Sequence, residues 1–282
     1  VALTIRRFNE GDVEFALSQT AREGWDTTAE LFSLSLKHDP EGCFIAEVGG
    51  EPAGMVTSTR YGASAWLGNL IVVPHVRRQG VGDRLMSHAI AALSRVGVRT
   101  FRLEADPPGV GLYRRLGFVD QFSTIRFRKE PPHRPHPERL ARQVTADDVE
   151  DVAAYDRTGF GDDRARLLAR IIELTPRAVC VRREDGKVLG YAATLPSAAG
   201  VRFGPCVADD AAVAAELLDV ILSASRNLAV VTAVPEVNTA AVALMQSRGF
   251  EAVGSCRRMR LGPPAAESDP HKLVAIAYGA IG

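Results

Sequence analysis

The stretch VPHVRRQGVG, Val73 to Gly82, constrains this chain more than any other, because it joins two hydrophobic periodicities within a few residues. Before it, Leu70 to Val73 is an apolar, β-branched run closed by Pro74, as in a buried strand. After it, apolar residues recur at Val81, Leu85, Met86, Ala89, Ile90 and Leu93, one face of a helix, with Gly97 where a C-terminal cap belongs. The spacing predicts strand, tight loop, helix N-terminus. The first turn of a helix holds N–H groups without partners inside the helix and about half a positive charge from the macrodipole. Glycines at 80 and 82 let an anion approach that backbone, and Arg77 and Arg78 can add charge-assisted bonds to phosphate oxygens. The loop reads as a cradle for a pyrophosphate, although two arginines and a Gly-x-Gly alone also describe a solvated turn. It has neither the Gly-Lys-Ser/Thr ending of a P-loop nor the glycine spacing of the dinucleotide fingerprint.

A length of 282 residues suits two domains of ordinary size. The boundary falls in KEPPHRPHPERL, Lys129 to Leu140, where four prolines interrupt any helix or central strand. His133 and His136 have metal-like spacing there, but no helix presents them and no third ligand is near, so no metal is expected. Basic and acidic residues balance at 34 each, which does not indicate a nucleic-acid partner. Cys43, Cys180, Cys206 and Cys256 are far apart and read as reduced structural thiols of a cytoplasmic protein. No apolar stretch is long enough to cross a membrane, and none is expected as a partner.

The halves repeat. TAVPEVNTAAVALMQSRGF matches LEADPPGVGLYRRLGF when Phe250 is set on Phe118, which places Met245 opposite Tyr113 and Asn238 opposite Asp106. FGPCVADDAAVAAELL takes the place of the Val73–Gly82 junction but carries Asp209 and Asp210, no arginine and no Gly-x-Gly. Two carboxylates at a helix start favour the helix and repel a diphosphate. The second half is expected to share the fold and lack the ligand, and KLVAIAY reads as a late strand.

RRQGVG, followed some thirty residues later by LYRRLGF, resembles the acyl-CoA loop and the Tyr-x-x-Leu-Gly-Phe stretch of the GNAT acyltransferases. GWDTT, DPEGCFIAEVGGEPAGMVTSTRYG and AWLGNLIVVP extend the similarity to a bacterial YitH-like subgroup in which a diverged second GNAT domain follows the first; FGDDR, GPCVA and CRRM resemble that second domain. The resemblance spans nearly the whole chain. It implies an α/β (α+β) fold of two tandem GNAT-like domains, each a mixed, mostly antiparallel sheet flanked by helices: residues 1–130, a linker at 131–139, and 140–282. It implies an acetyl-CoA-dependent N-acetyltransferase in which an amine of unknown identity attacks the thioester directly, with one acetyl-CoA per chain in the first domain and no metal. A non-catalytic acyl-CoA sensor or partner-binding protein is the alternative. The acceptor is a small-molecule amine or a peptide or protein amine, and a homodimer is among the assemblies admitted.

By the same resemblance, Ile71, Val72, Val73, Arg77, Arg78, Gln79, Gly80, Val81, Gly82 and Tyr113 hold the cofactor, with a backbone N–H around Val72 and Val73 as the oxyanion donor on a splayed strand edge. Acyl transfer must present a neutral amine, stabilise an oxyanion and protonate a thiolate. An alkylammonium of pKa about 10.4 is neutral roughly once in 2,500 at pH 7, a cost near 4.6 kcal/mol that a base or a desolvated site must offset. Tyr113 matches the family tyrosine that serves the departing thiolate, its alternative being a ring packed beside Leu112 and Leu116. Glu104, opposite in phase to Phe101 and Leu103 in VRTFRLEA, is placed to act as base or stands as a solvated carboxylate. Many GNAT enzymes have Asn seven residues before the tyrosine; here Asp106 stands there. Trp25, Tyr61 and Trp66 match aromatic positions that wall the acceptor pocket, with sheet packing as the other reading of Trp66; Asp26 and Glu30 attract a cationic amine or simply start a helix.

Overall fold

A computed structural model of the chain describes residues 2–134, 140–175, 177–183, 185–264 and 268–282. The elements run β1 (Leu3–Arg7), α1 (Val13–Arg22), α2 (Ala29–His38), β2 (Phe44–Val48), β3 (Glu51–Tyr61), β4 (Ser64–Val72), α3 (Val81–Arg95), β5 (Thr100–Ala105), α4 (Val110–Arg115) and β6 (Val119–Lys129). Then follow β7 (Ala141–Gln143), α5 (Val149–Phe160), α6 (Ala165–Leu174), β8 (Ala178–Arg182), β9 (Val188–Ser197), β10 (Gly200–Ala208), α7 (Ala211–Ala224), β11 (Val230–Pro235), α8 (Thr239–Ser247), β12 (Glu251–Leu261) and β13 (Leu273–Ala275).

The chain forms two compact units, Val1–Gln121 with Arg257–Pro264 and Gly279–Gly282, and Phe122–Cys256 with Ala265–Tyr278. This division differs from the linear cut expected at 131–139. The reason is that each sheet is completed by the last long strand of the other half: Arg257–Leu261 of β12 lies antiparallel on β5, and residues 124–129 of β6 lie antiparallel on β11. His133 is held inside the second unit, its ring nitrogen Nε2 2.8 Å from the Leu228 carbonyl. Residues 135–139, including His136, lie outside the described residues.

In the first unit β1 through β5 pair in sequence order, antiparallel except for β4 with β5. That parallel pairing spans only Ser64–Trp66 against Thr100–Arg102, while β4 keeps β3 on its other side as far as Val72. The strands therefore part into a wedge, narrow at Trp66 and open at Val72. A register shift between Met55 and Thr57 lies across from Asn69, a left-handed residue at φ 50, and bends β4 beside the opening. Amphipathic α3 covers one face of the sheet through Val81, Leu85, Met86, Ala89 and Leu93, against Leu67, Phe101, Leu103 and Met259. On the opposite face, Ile45, Met55 and Ile71 pack with Phe8 and Phe32.

The second unit repeats the plan, with β7 through β11 in order and β10 parallel to β11 at Val201–Arg202 and Val230–Val231. Here the wedge is filled. β13 lies antiparallel on β10, with Cys206 opposite Ala275 and Val207 opposite Leu273. Ala208 N donates to the Lys272 carbonyl, and on the other flank Ile276 N donates to the Ala233 carbonyl of β11, both at 3.0 Å. The core of this unit gathers Leu217, Leu218, Ile221, Val230, Val234 and Met245. None of the four cysteines is in a disulfide and all are buried, and burial pushes the Cys43 thiol up to about 12. Among the described residues no helix is long and apolar enough to cross a membrane.

Candidate active site

The strand-to-helix junction at Val73–Gly82 has the expected form. Gly80, at φ 79, starts α3 without any side-chain cap, and Arg78 just before it is exposed and left-handed at φ 60. The two glycines serve different ends. A Cβ at Gly80 would meet nothing within 4 Å, so the backbone hand is what requires glycine there. A Cβ at Gly82 would lie 3.1 Å from Leu112 Cδ1 and 3.7 Å from Val72 Cγ2, so its missing side chain admits packing against α4 as well as approach by a ligand. Arg77 is already engaged: Nε donates to the Val72 carbonyl at 2.8 Å and Nη2 pairs with Glu23. Gln79 donates to the His75 carbonyl at 3.2 Å.

Of the two backbone donors expected on β4, Val73 N is bonded to the Ala53 carbonyl at 2.9 Å. The alternation of an antiparallel ladder then turns the Val72 N–H away from β3, toward the edge that β5 has left. Val72 and its carbonyl-bound Arg77 thus mark the open mouth of the wedge, while the Ile71 side chain is buried among Met55 and Phe32.

Tyr113 lies on α4, half-buried, with its ring edge-on to Phe118 at 5.9 Å. Gly109 gives the ring room, since a Cβ there would stand 3.1 Å from Tyr113 Cε2. Burial first, and the charge of Asp106 second, raise the phenol's pKa well above its ordinary value, so it is protonated at neutral pH. Asp106 also accepts from Trp25 Nε1 at 3.0 Å, which ties the connection between α1 and α2 to the end of β5. The structure thus brings Trp25, Asp106 and Tyr113 together.

It places the other candidates elsewhere. Glu104 lies inside β5, its side chain only 2% exposed, and pairs with Arg258 at 2.8 Å. It is therefore neither a solvated carboxylate nor an unengaged one. Arg258 and Arg102 stand over the Trp66 ring at 4.8 and 5.6 Å. The CRRM stretch that carries Arg258 resembles the second domain by sequence, yet this part of β12 belongs to the first unit, so its pairing with Glu104 is not signalled by either motif. Trp66 and Tyr61 are both buried, and each donates to a late backbone carbonyl, Trp66 Nε1 to Gly279 at 2.9 Å and Tyr61 OH to Ile281 at 2.6 Å.

At the matching junction of the second unit, Asp210 caps α7 by accepting from Ala212 N and Val213 N at 2.8 and 2.9 Å. Asp209 accepts from Lys272 Nζ at 2.7 Å and from Tyr155 OH at 2.9 Å. Asn238 caps α8 through Ala241 N and donates to the His271 and Leu273 carbonyls, holding the filling strand. Met245, opposite Tyr113 in the repeat, is core. Among the described residues no group of three His, Cys, Asp or Glu side chains is arranged to hold a metal.

Comparison with known proteins agrees with this duplication. Residues 11–118 match the Acetyltransferase (GNAT) family and residues 152–275 an Acetyltransferase (GNAT) domain. The chain is 27% identical over 218 residues to the uncharacterized N-acetyltransferase YitH of Bacillus subtilis, covering 75% of each protein. It is 26% identical over 266 residues to holothin acyltransferase of a Pseudoalteromonas species, covering 94% of this chain and 88% of that one. A solved structure from Pyrococcus horikoshii, 28% identical, superposes with a TM-score of 0.85 over 99% of this chain and 96% of the other.

Proposed function

The chain belongs to the GNAT acyltransferases, whose domain it carries twice, and on that premise we propose that its first unit alone binds acetyl-CoA and transfers the acetyl group to an amine. Membership makes it an acyltransferase acting between an acyl-CoA and an amine acceptor. The observation that carries the finer reading is the wedge between β4 and β5, open in the first unit and ending at the uncapped start of α3.

In this reading the diphosphate lies on the N–H groups of Val81 and Gly82, with Arg78 as the exposed cation and Arg77 shaping the mouth. The acyl arm enters the wedge along β4, where the Val72 N–H faces it and serves as the backbone donor. Donors preorganised toward a developing oxyanion cost no reorganisation during reaction. Tyr113, kept protonated by its surroundings, gives its proton to the departing thiolate. Asp106 and Trp25 bound the acceptor side, and the Asp106 carboxylate attracts a cationic amine. Glu104 holds Arg258, and with it the strand Arg257–Leu261, rather than taking the amine's proton.

Thiol release from acetyl-CoA across a panel of amines, with products read by mass shift, tests the proposal. Turnover with at least one amine is expected. Tight acetyl-CoA binding without turnover on any of them overturns it in favour of a sensor.

A further inference from the structure

Ala65 and Leu67 on β4 face α3, so Trp66 and Gly68 point to the opposite face of the first sheet, where Thr59 of β3 stands across from Trp66. Gly279–Gly282 lies on that face. Trp66 and Tyr61 hold it by the Gly279 and Ile281 carbonyls, and Ala280 and Ile281 are buried. Between the two anchors it comes so close to β4 that a Cβ on Gly68 would lie 2.4 Å from Ala280 Cα. Gly68 does not lie in the left-handed region, so approach by this segment is what excludes a side chain there. Trp66 is also the last residue of β4 to pair with β5. The segment therefore stands at the narrow end of the wedge, beside the buried Thr59 hydroxyl, which has no hydrogen-bond partner among the described residues.

We propose that Gly279–Gly282 is a specificity-determining wall of the acceptor subsite, limiting by main-chain shape the size of the amine that reaches the reacting end of the wedge. This rests on the acyltransferase reading above. An acyl arm entering at Val72 points its reactive end toward Trp66, so an amine arriving there meets residues 279–282. The wall is main chain with small side chains. It selects by shape and by carbonyl groups, and its position is set by Gly68, Tyr61 and Trp66.

Gly68→Ala and the milder Tyr61→Phe displace or loosen the segment without touching the phosphate loop. A series of linear and branched primary amines is titrated into the CoA-loaded protein by calorimetry and assayed for turnover with acetyl-CoA. The expected result is a size-dependent shift, with the Kd and KM of bulky amines changed by about tenfold or more relative to small ones while acetyl-CoA affinity stays within about twofold. An unchanged ranking of amines in folded Tyr61→Phe and Gly68→Ala proteins overturns the wall, as does a uniform fall in Kd and KM for every amine, which would make the segment an inhibitory occupant. Failure of amines to bind the CoA-loaded wild type overturns it too. Amine binding that shifts with size but never leads to turnover leaves the wall standing and removes the acyl-transfer reading instead.

Discussion

The two strand-to-helix junctions, Val73–Gly82 and Ala208–Ala214, share an architecture and differ in where the anion comes from. α3 begins on Gly80 with its first N–H groups uncapped by any side chain, and α7 begins with the Asp210 carboxylate already on two of them. The same contrast holds one layer further in, where the first wedge is open at Val72 and the second is occupied by β13. A fold that binds an extended acidic ligand can be converted to a closed structural module by supplying both parts from within: a carboxylate for the phosphates and a strand for the arm. Either change would weaken binding, and under the proposed function together they leave the second unit no place for acyl-CoA.

The largest effect should come from expelling the internal strand. Gly204 has φ 140, and a Cβ there would lie 2.1 Å from the Ile276 carbonyl oxygen, so Gly204→Ala is expected to cost more than about 3 kcal/mol in chemical denaturation. A well-folded variant of near wild-type stability that takes up a second CoA would break the comparison. Next is Tyr113→Phe, expected to lower kcat more than about tenfold with acetyl-CoA affinity unchanged in calorimetry. Because the phenol's pKa is raised, the wild-type rate should hold through neutral and mildly alkaline pH and fall only above the ordinary tyrosine value of about 10, where the proton to be donated is lost.

Reversing charge at the open junction should have a smaller effect. Arg78→Glu is expected to weaken acetyl-CoA roughly tenfold, less at high salt, since an exposed charge is screened. An unaltered Kd at low salt would assign the cradle to backbone N–H groups alone. Smallest is Asp210→Ala, which removes a cap and should cost about 1 kcal/mol of stability while calorimetry still counts one acetyl-CoA per chain. A second equivalent of tight binding would show that the carboxylate, and not β13, keeps that unit empty.

What was legible in the sequence is what local spacing controls. The apolar face of α3, the left-handed Gly80 and Gly97, the alternation along β5 and the cap at Asp210 all depend on residues within a turn or two of each other. A further mark was legible and easily passed over: Arg6 with Asp12 and Arg142 with Asp148 stand at one spacing, and each pair precedes the first long helix of its unit. Glu104 could not be placed from sequence because its partner, Arg258, lies in the other half of the chain. Tyr61 and Trp66 read as pocket aromatics, and nothing in their local sequence shows that residues 279–282 lie against them. The filling of the second wedge was equally hidden, since KLVAIAY reads as a strand without saying which gap it enters.

The traded strands have a consequence for how the molecule is made. β5 leaves the ribosome in the first half of synthesis, yet its antiparallel neighbour, Arg257–Leu261, emerges only near the end. The first unit must therefore wait with an unpaired edge while the second unit is translated. Contacts this distant in the chain slow folding and leave strand edges open to wrong partners. The first unit is begun first and finished last, so a nascent chain arrested between Gly82 and Arg257 carries the complete Val73–Gly82 junction on an incomplete sheet.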